Sequence, residues 1–202
     1  MKRRQFLNVL LPLLVSTPLC AEYLKGASPA TGQRELAVWR AALALASLRL
    51  GKPGDQTQII FFLDANCPAC AKLWNWFDTT PRRELASVWV PVSYMSKTSA
   101  SRGVSLLRAP DPYFALAHNF RGFDHANRQG GIAPVTDSTM AELSKIERNT
   151  RFWYKRLFEA TPLILYRAQN GIWQTLGWSS NAEMDQLVAK LSPSGLEPYK
   201  TR

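Results

Sequence analysis

A continuous apolar run, Ile59-Ile60-Phe61-Phe62-Leu63, leads through Asp64-Ala65-Asn66 into Cys67-Pro68-Ala69-Cys70. This junction constrains the chain more than any other stretch. Five consecutive apolar residues leave no polar face, which is the pattern of a strand covered on both sides. A helix is expected to start at the cysteines and continue to about Asp78. Proline suits a first helical position, where its missing N–H leaves no bond unmade. Leu73, Trp74, Trp76 and Phe77 supply a buried side for that helix. A thiol at a helix start meets unpaired backbone N–H groups and the positive end of the dipole, and both favour the thiolate. Cys67 is therefore expected to be the attacking thiol. Cys70, almost one turn later, is expected to be less exposed and to resolve a mixed disulfide. The intervening Pro68 and Ala69 are neutral and bear on the thiolate through its hydrogen bonds. Lys72 and Asp64, close by in sequence, read as surface polar residues.

The N-terminus indicates where such chemistry would operate. Residues 1–21 read as a signal peptide, with Lys2, Arg3 and Arg4 ahead of a mostly apolar stretch from Phe6 to Leu19 and Ala21 as the last residue. That stretch is shorter than the ~20 residues of a membrane-spanning helix. Arg3-Arg4-Gln5-Phe6-Leu7 resembles a twin-arginine export signal, an ordinary secretory signal being the alternative. Removal of the signal lowers the formal net charge of +10 by three and takes away Cys20. Of the chain's three cysteines, only Cys67 and Cys70 then remain, in oxidising surroundings. So short a loop would be a poor structural cross-link. The remaining Lys and Arg residues are scattered, which reads as a solvated surface, and no nucleic-acid-binding motif accompanies them. A zinc site is the competing reading, with Cys67, Cys70, His118 and His125 as a formal ligand set. The strand-to-helix setting favours redox chemistry, and the histidine spacing is too long for a finger.

Along the rest of the chain, residues 22–33 read as an irregular lead-in. A helix is expected over 34–50, with Leu36, Trp39, Leu43, Ala46 and Leu50 on one face. Its apolar face either packs on the domain, the favoured reading, or serves as a linker or partner-binding helix. Val88 to Met95 reads as a strand in which Pro91 marks an edge or a bulge. Helical pieces follow near 101–107 and 112–120. After a polar loop over 121–135 comes a helix capped by Asp137 or Ser138, then a last stretch carrying Phe152, Trp153, Leu157 and Phe158. Thr161-Pro162 opens a strand over 163–167, Asn170-Gly171 makes a hairpin turn into 172–178, and Asn181 caps a closing helix. A proline starting a strand can present an edge to an extended peptide. After a redox pair and before a hairpin and helix, Thr161-Pro162 is expected to do so.

This order of features resembles the thioredoxin superfamily, and more closely the catalytic domain of DsbC/DsbG-type periplasmic thiol-disulfide interchange proteins. The stretches that carry the likeness are IIFFLDANCPACAKLW (59–74), APDPY (109–113) and TPLILYRAQNGIWQTLGW (161–178). The resemblance implies an α/β thioredoxin-like fold, with a helical insert at about 98–160 between the CxxC helix and the cis-proline strand. It divides the chain into the signal peptide 1–21, a lead-in with a linker-like helix over 22–58, a catalytic domain over 59–192 and a tail over 193–202. It implies an attacking Cys67, a resolving Cys70 and substrate contacts at Thr161, Pro162, Pro68 and Ala69. No cofactor is implied beyond the redox-active Cys67–Cys70 pair. The implied partners are exported proteins with thiols or disulfides, and a membrane redox partner such as a DsbD-like reductant or a DsbB-like oxidant. Residues 22–58 leave no room for the N-terminal dimerisation domain of that type, so neither dimerisation of that kind nor isomerisation in a cleft between subunits follows from the resemblance. Three functions follow from these readings. The first is reduction or reshuffling of disulfides, or reduction of sulfenic acids, on exported proteins in the periplasm. The second is a DsbA-like oxidant. The third is a redox-independent chaperone or binding module for a secretion or conjugation system, motivated if Trp39, Trp74 and Trp76 are exposed.

Overall fold

The computed structural model describes residues 29–52, 56–79, 82–157, 160–168, 171–178 and 180–191. The expected signal peptide and C-terminal tail lie outside these residues. The chain order is α1 (Pro29–Leu43), β1 (Leu48–Leu50), β2 (Ile59–Asp64), α2 (Pro68–Phe77) and β3 (Ser87–Val92), then α3 (Ser99–Arg108), α4 (Pro112–Arg121), α5 (Met140–Arg156), β4 (Leu163–Ala168), β5 (Gly171–Leu176) and α6 (Asn181–Ala189). The strands form one sheet in the order β1-β3-β2-β4-β5. β2 and β3 run parallel, joined through α2, and the other neighbours are antiparallel.

Strand residues alternate between the two faces of the sheet, and both faces are covered. Ile59, Phe61, Leu63, Trp89, Ile164 and Tyr166 pack with α2, α4 and α6 residues such as Leu73, Trp74, Phe77, Leu116, Phe120 and Met184. Ile60, Phe62, Val88, Val90, Leu163 and Leu165 pack on the other side with Trp39 and Ala42 of α1 and Trp153 of α5. This double coverage is why β2 carries no polar alternation. On the first face Phe61, Trp74, Phe77 and Trp89 form an aromatic cluster, with Trp74 and Trp89 centroids 5.3 Å apart.

Several boundaries differ from expectation. The first helix runs over Pro29–Leu43 rather than 34–50, and Leu48–Leu50 forms an edge strand on β3. Ala44–Ala46 and Leu50 continue a helical spacing in sequence, but strand pairing at the sheet edge overrides it. The segment expected as a linker-like lead-in thus adds one strand and one covering helix to the sheet. Trp39 is buried among the residues of that second face.

Pro91 lies inside β3, beyond the short stretch paired with β1. No ladder partner is lost there, and Asn149 Nδ2 donates both to Pro91 O, at 2.9 Å, and to Ala46 O, at 2.8 Å. The two helical pieces expected after residue 137 are one helix, α5. Its cap is Thr139 rather than Asp137 or Ser138, because Thr139 and Glu142 close a reciprocal capping box. Likewise Ser180, not Asn181, accepts the Glu183 N–H and caps α6. Of the expected Asn170-Gly171 turn, Asn170 lies outside the described residues. Gly171 has φ 145°, a conformation open to glycine and strained for other residues. Among the described residues no helix is long and apolar enough to cross a membrane.

Candidate active site

The pair sits where β2 ends and α2 begins. Cys67 is the N-cap of α2 in extended conformation, with Pro68 at its first turn. The Cys67 N–H donates to Asp64 O at 3.0 Å, which closes the turn between strand and helix. Its sulfur accepts the Cys70 N–H at 3.4 Å. This is the usual bond of a capping side chain, made here by sulfur. The thiol donates in turn to Thr161 O, also at 3.4 Å. Thr161 is 94 residues away in sequence. It is brought there because β4 runs antiparallel to β2, with Phe62 opposite Leu163. The end of one strand therefore meets the start of the other. The Thr161–Pro162 peptide bond is cis.

The two sulfurs are free thiols in different surroundings. Cys67, 3% exposed, is lowered from the ordinary 9.0 to about 7. Its hydrogen bonding with Cys70 is the largest cause, opposed by burial and helped by the Thr161 side chain and by the backbone N–H groups of Cys70 and Ala69. Cys70 is driven well above the ordinary value, first by burial and then by the neighbouring Cys67. One helical turn thus carries an acidic thiol and a reluctant one. Pro68 and Ala69 are half-buried beside them. Cys67 meets both Cys70 and Thr161, with Pro162 next to Thr161 in the chain.

Residues beyond the cysteines build the floor of this site. Asp64 was expected at the surface and is fully buried. Its Oδ1 accepts from Asn66 N at 2.9 Å and Ser99 Oγ at 2.8 Å. Its Oδ2 accepts from Tyr94 N at 2.8 Å and Met95 N at 3.0 Å. Four bonds of this kind satisfy a buried carboxylate. Asn66 Nδ2 donates to Ser96, Thr98 and Ser99 hydroxyls, and its Oδ1 accepts the Gly130 N–H at 3.0 Å. Asn119 Nδ2 donates to Ala65 O, and the buried Arg102 donates to the carbonyls of Gly130 and Ile132. The 64–67 turn is thereby tied to the start of α3 and to the loop after α4. Spacing along the chain could not reveal this floor, since its partners come from about 30 or more residues away. Lys72 is exposed on α2 as expected. His118 and His125 are also exposed, each against a phenylalanine ring. Among the described residues no group of three or more His, Cys, Asp or Glu side chains is placed to hold a metal.

A sheet with one parallel and several antiparallel pairs, helices on both faces, and a CxxC helix start packed against a cis-proline define a thioredoxin fold with a helical insertion. Solved structures share this architecture. The catalytic domain of ScsC from Proteus mirabilis matches with a TM-score of 0.58 and 20% identity, over 78% of this chain and 96% of that one. A periplasmic thioredoxin-like protein from Salmonella enterica serovar Typhimurium matches with 0.57 and 20% identity, over 74% and 93%. The thiol-disulfide exchange protein α-DsbA2 from Wolbachia pipientis matches with 0.54 and 11% identity, over 82% and 98%. No protein-family model matches the chain, and no curated protein does.

Proposed function

We propose that this protein is an exported thiol-disulfide oxidoreductase of the periplasm that reduces or reshuffles disulfides, or reduces sulfenic acids, on other exported proteins. One observation carries the reading: an acidic Cys67 capping a helix, with the buried Cys70 one turn deeper and the Thr161 carbonyl across from it. The chemistry follows from that placement. The Cys67 thiolate attacks one sulfur of a substrate disulfide, the S–S bond breaks, and the other sulfur leaves as a thiolate. Cys70 then attacks Cys67 Sγ, its proton passing to the departing substrate sulfur, and the Cys67–Cys70 bond forms. Two electrons pass from the protein to the substrate, and no cofactor is required. Thr161, whose carbonyl meets the attacking sulfur, and its chain neighbour Pro162, with Pro68 and Ala69 next to Cys67 in sequence, are the proposed contacts for substrate backbone. The resting protein is restored by a membrane partner of DsbD-like chemistry.

The reducing direction is favoured by the degree of acidity. A thiol near 7 is like that of thioredoxin, at about 7, whereas a strong oxidant such as DsbA holds its thiol near 3.5. The chaperone reading loses its motive, because Trp39, Trp74 and Trp76 are all buried.

Two experiments test the proposal. Reduction of a model disulfide protein should be lost in Cys67→Ser, whereas Cys70→Ser should accumulate mixed disulfides. Retained turnover in Cys67→Ser refutes the assignment. The reduction potential should lie well below the value of about −120 mV of the DsbA oxidant. A value near that figure reverses the direction.

A further inference from the structure

Tyr94 stands beside the thiols and has no part in the chemistry above. Its N–H is held by the buried Asp64 carboxylate at 2.8 Å. Its ring lies on that of the buried Trp153, with centroids 4.9 Å apart. Its hydroxyl is 3.0 Å from Thr161 Oγ1. Trp153 itself donates from Nε1 to Ala160 O at 3.1 Å. Two aromatic residues whose rings meet at a tilt of 34°, one just after β3 and one from α5, therefore grip consecutive residues of the loop that faces Cys67. The bonds close a circuit. Asp64 O holds the Cys67 N–H, the Asp64 carboxylate holds Tyr94, Tyr94 holds Thr161, and Thr161 O holds the Cys67 thiol.

We propose that Tyr94 is a positioning residue of the thiol site. Its phenolic O–H donates to Thr161 Oγ1, which leaves the threonine hydroxyl hydrogen free to turn toward the Cys67 thiolate, whose protonated form donates to the Thr161 carbonyl. Of the two hydroxyls the phenol is the stronger acid and so the better donor. Burial pushes it further up, so it keeps its hydrogen where Cys67 titrates. A hydroxyl that accepts such a bond becomes a stronger donor in turn. The Thr161 side chain already counts among the causes that hold Cys67 low. The groups around the sulfur are few. Cys70 comes from α2, with Lys72 on the exposed side of that helix, and Tyr94 comes from the chain after β3. Asp64, at the end of β2, has both oxygens occupied by the four donors already named. At 44% exposed, Tyr94 can lose its hydroxyl without leaving a cavity in the core.

This inference rests on Cys67 being the acidic thiol, and the test separates the two. The probe is the ultraviolet absorbance of the Cys67 thiolate in the reduced protein, titrated in wild type, Tyr94→Phe, Thr161→Val and the double variant. Tyr94→Phe should move the Cys67 midpoint upward by roughly half a pH unit, about a threefold loss of thiolate below the midpoint. In the Thr161→Val background the same change should move nothing further. An unmoved midpoint in Tyr94→Phe overturns the inference while leaving the acidic Cys67 intact. So does an equal shift in both backgrounds, since Tyr94 would then act by a route other than Thr161. A wild-type Cys67 titrating as an ordinary thiol overturns the reading of the site, and this inference with it.

Discussion

At the scale of single residues, what separates two chemically identical thiols is less than one turn of helix. Cys67 receives N–H groups that a helix start cannot bond internally, whereas Cys70 is enclosed where its anion would have no solvent. The difference has a consequence for folding. Cys67 ionises near 7 when folded and near 9.0 when its surroundings are lost, so the folded state of the reduced protein binds fewer protons between those values. Its stability should therefore rise with pH across that window, by about 2–3 kcal/mol in full. The contribution is present above 9 and disappears as pH falls through 7. Cys70 acts with the opposite sign. Its contribution is intact below 9 and is lost at higher pH, where the unfolded chain ionises first. Urea unfolding of the reduced protein should show the rise, and Cys67→Ser should abolish it. A flat profile in the wild type would contradict the account. The acidic position of Cys67 was legible in sequence because its causes are local: the strand, the Pro68 start and the spacing to Cys70. Asp64 and Tyr94 were not, because their partners come from distant segments.

At the scale of elements, the sequence marks cores and stops better than it marks ends. β2, α2 and the hairpin strands follow from apolar runs and a Pro or Gly beside them. The edge strand Leu48–Leu50 does not, since three residues carry no period and its identity comes from pairing with β3. The loop after α4 reads only as polar and glycine-containing, yet it is part of the site. A Cβ on Gly130 would stand 2.5 Å from Ala65 O and 2.0 Å from Asn119 Oδ1. The backbone there must pass directly over the turn that holds Cys67. Gly130→Ala should cost about 1–3 kcal/mol, as overpacking does, and should also slow thiol exchange because Ala65 and Asn66 must move. Denaturation and turnover measured on the same samples check both. Loss of stability with unchanged turnover per folded molecule would show that the loop is not coupled to the thiols.

At the scale of the molecule, the sheet divides structure from chemistry. The thiols belong to the face packed by α2, α4 and α6, whereas α1 and the tryptophan end of α5 cover the other. The insertion bridges the two, since Trp153 reaches around to hold Ala160 beside the site. Ile60, fully buried on the far face, should be nearly silent in catalysis. Ile60→Ala should lower stability by about 2–5 kcal/mol while the exchange rate per folded molecule stays at the wild-type level. A matching loss of rate at low temperature, where the variant is folded, would mean that the two faces are not independent.

The central claim is that helix-start geometry makes one thiol of the pair acidic and the other inert. Site-resolved alkylation of the reduced protein across neutral and alkaline pH reads this directly. Modification at Cys67 should rise with a midpoint near 7, with Cys70 unmodified throughout that rise. Both cysteines reacting together with an ordinary thiol midpoint, or Cys70 reacting first, would contradict the account.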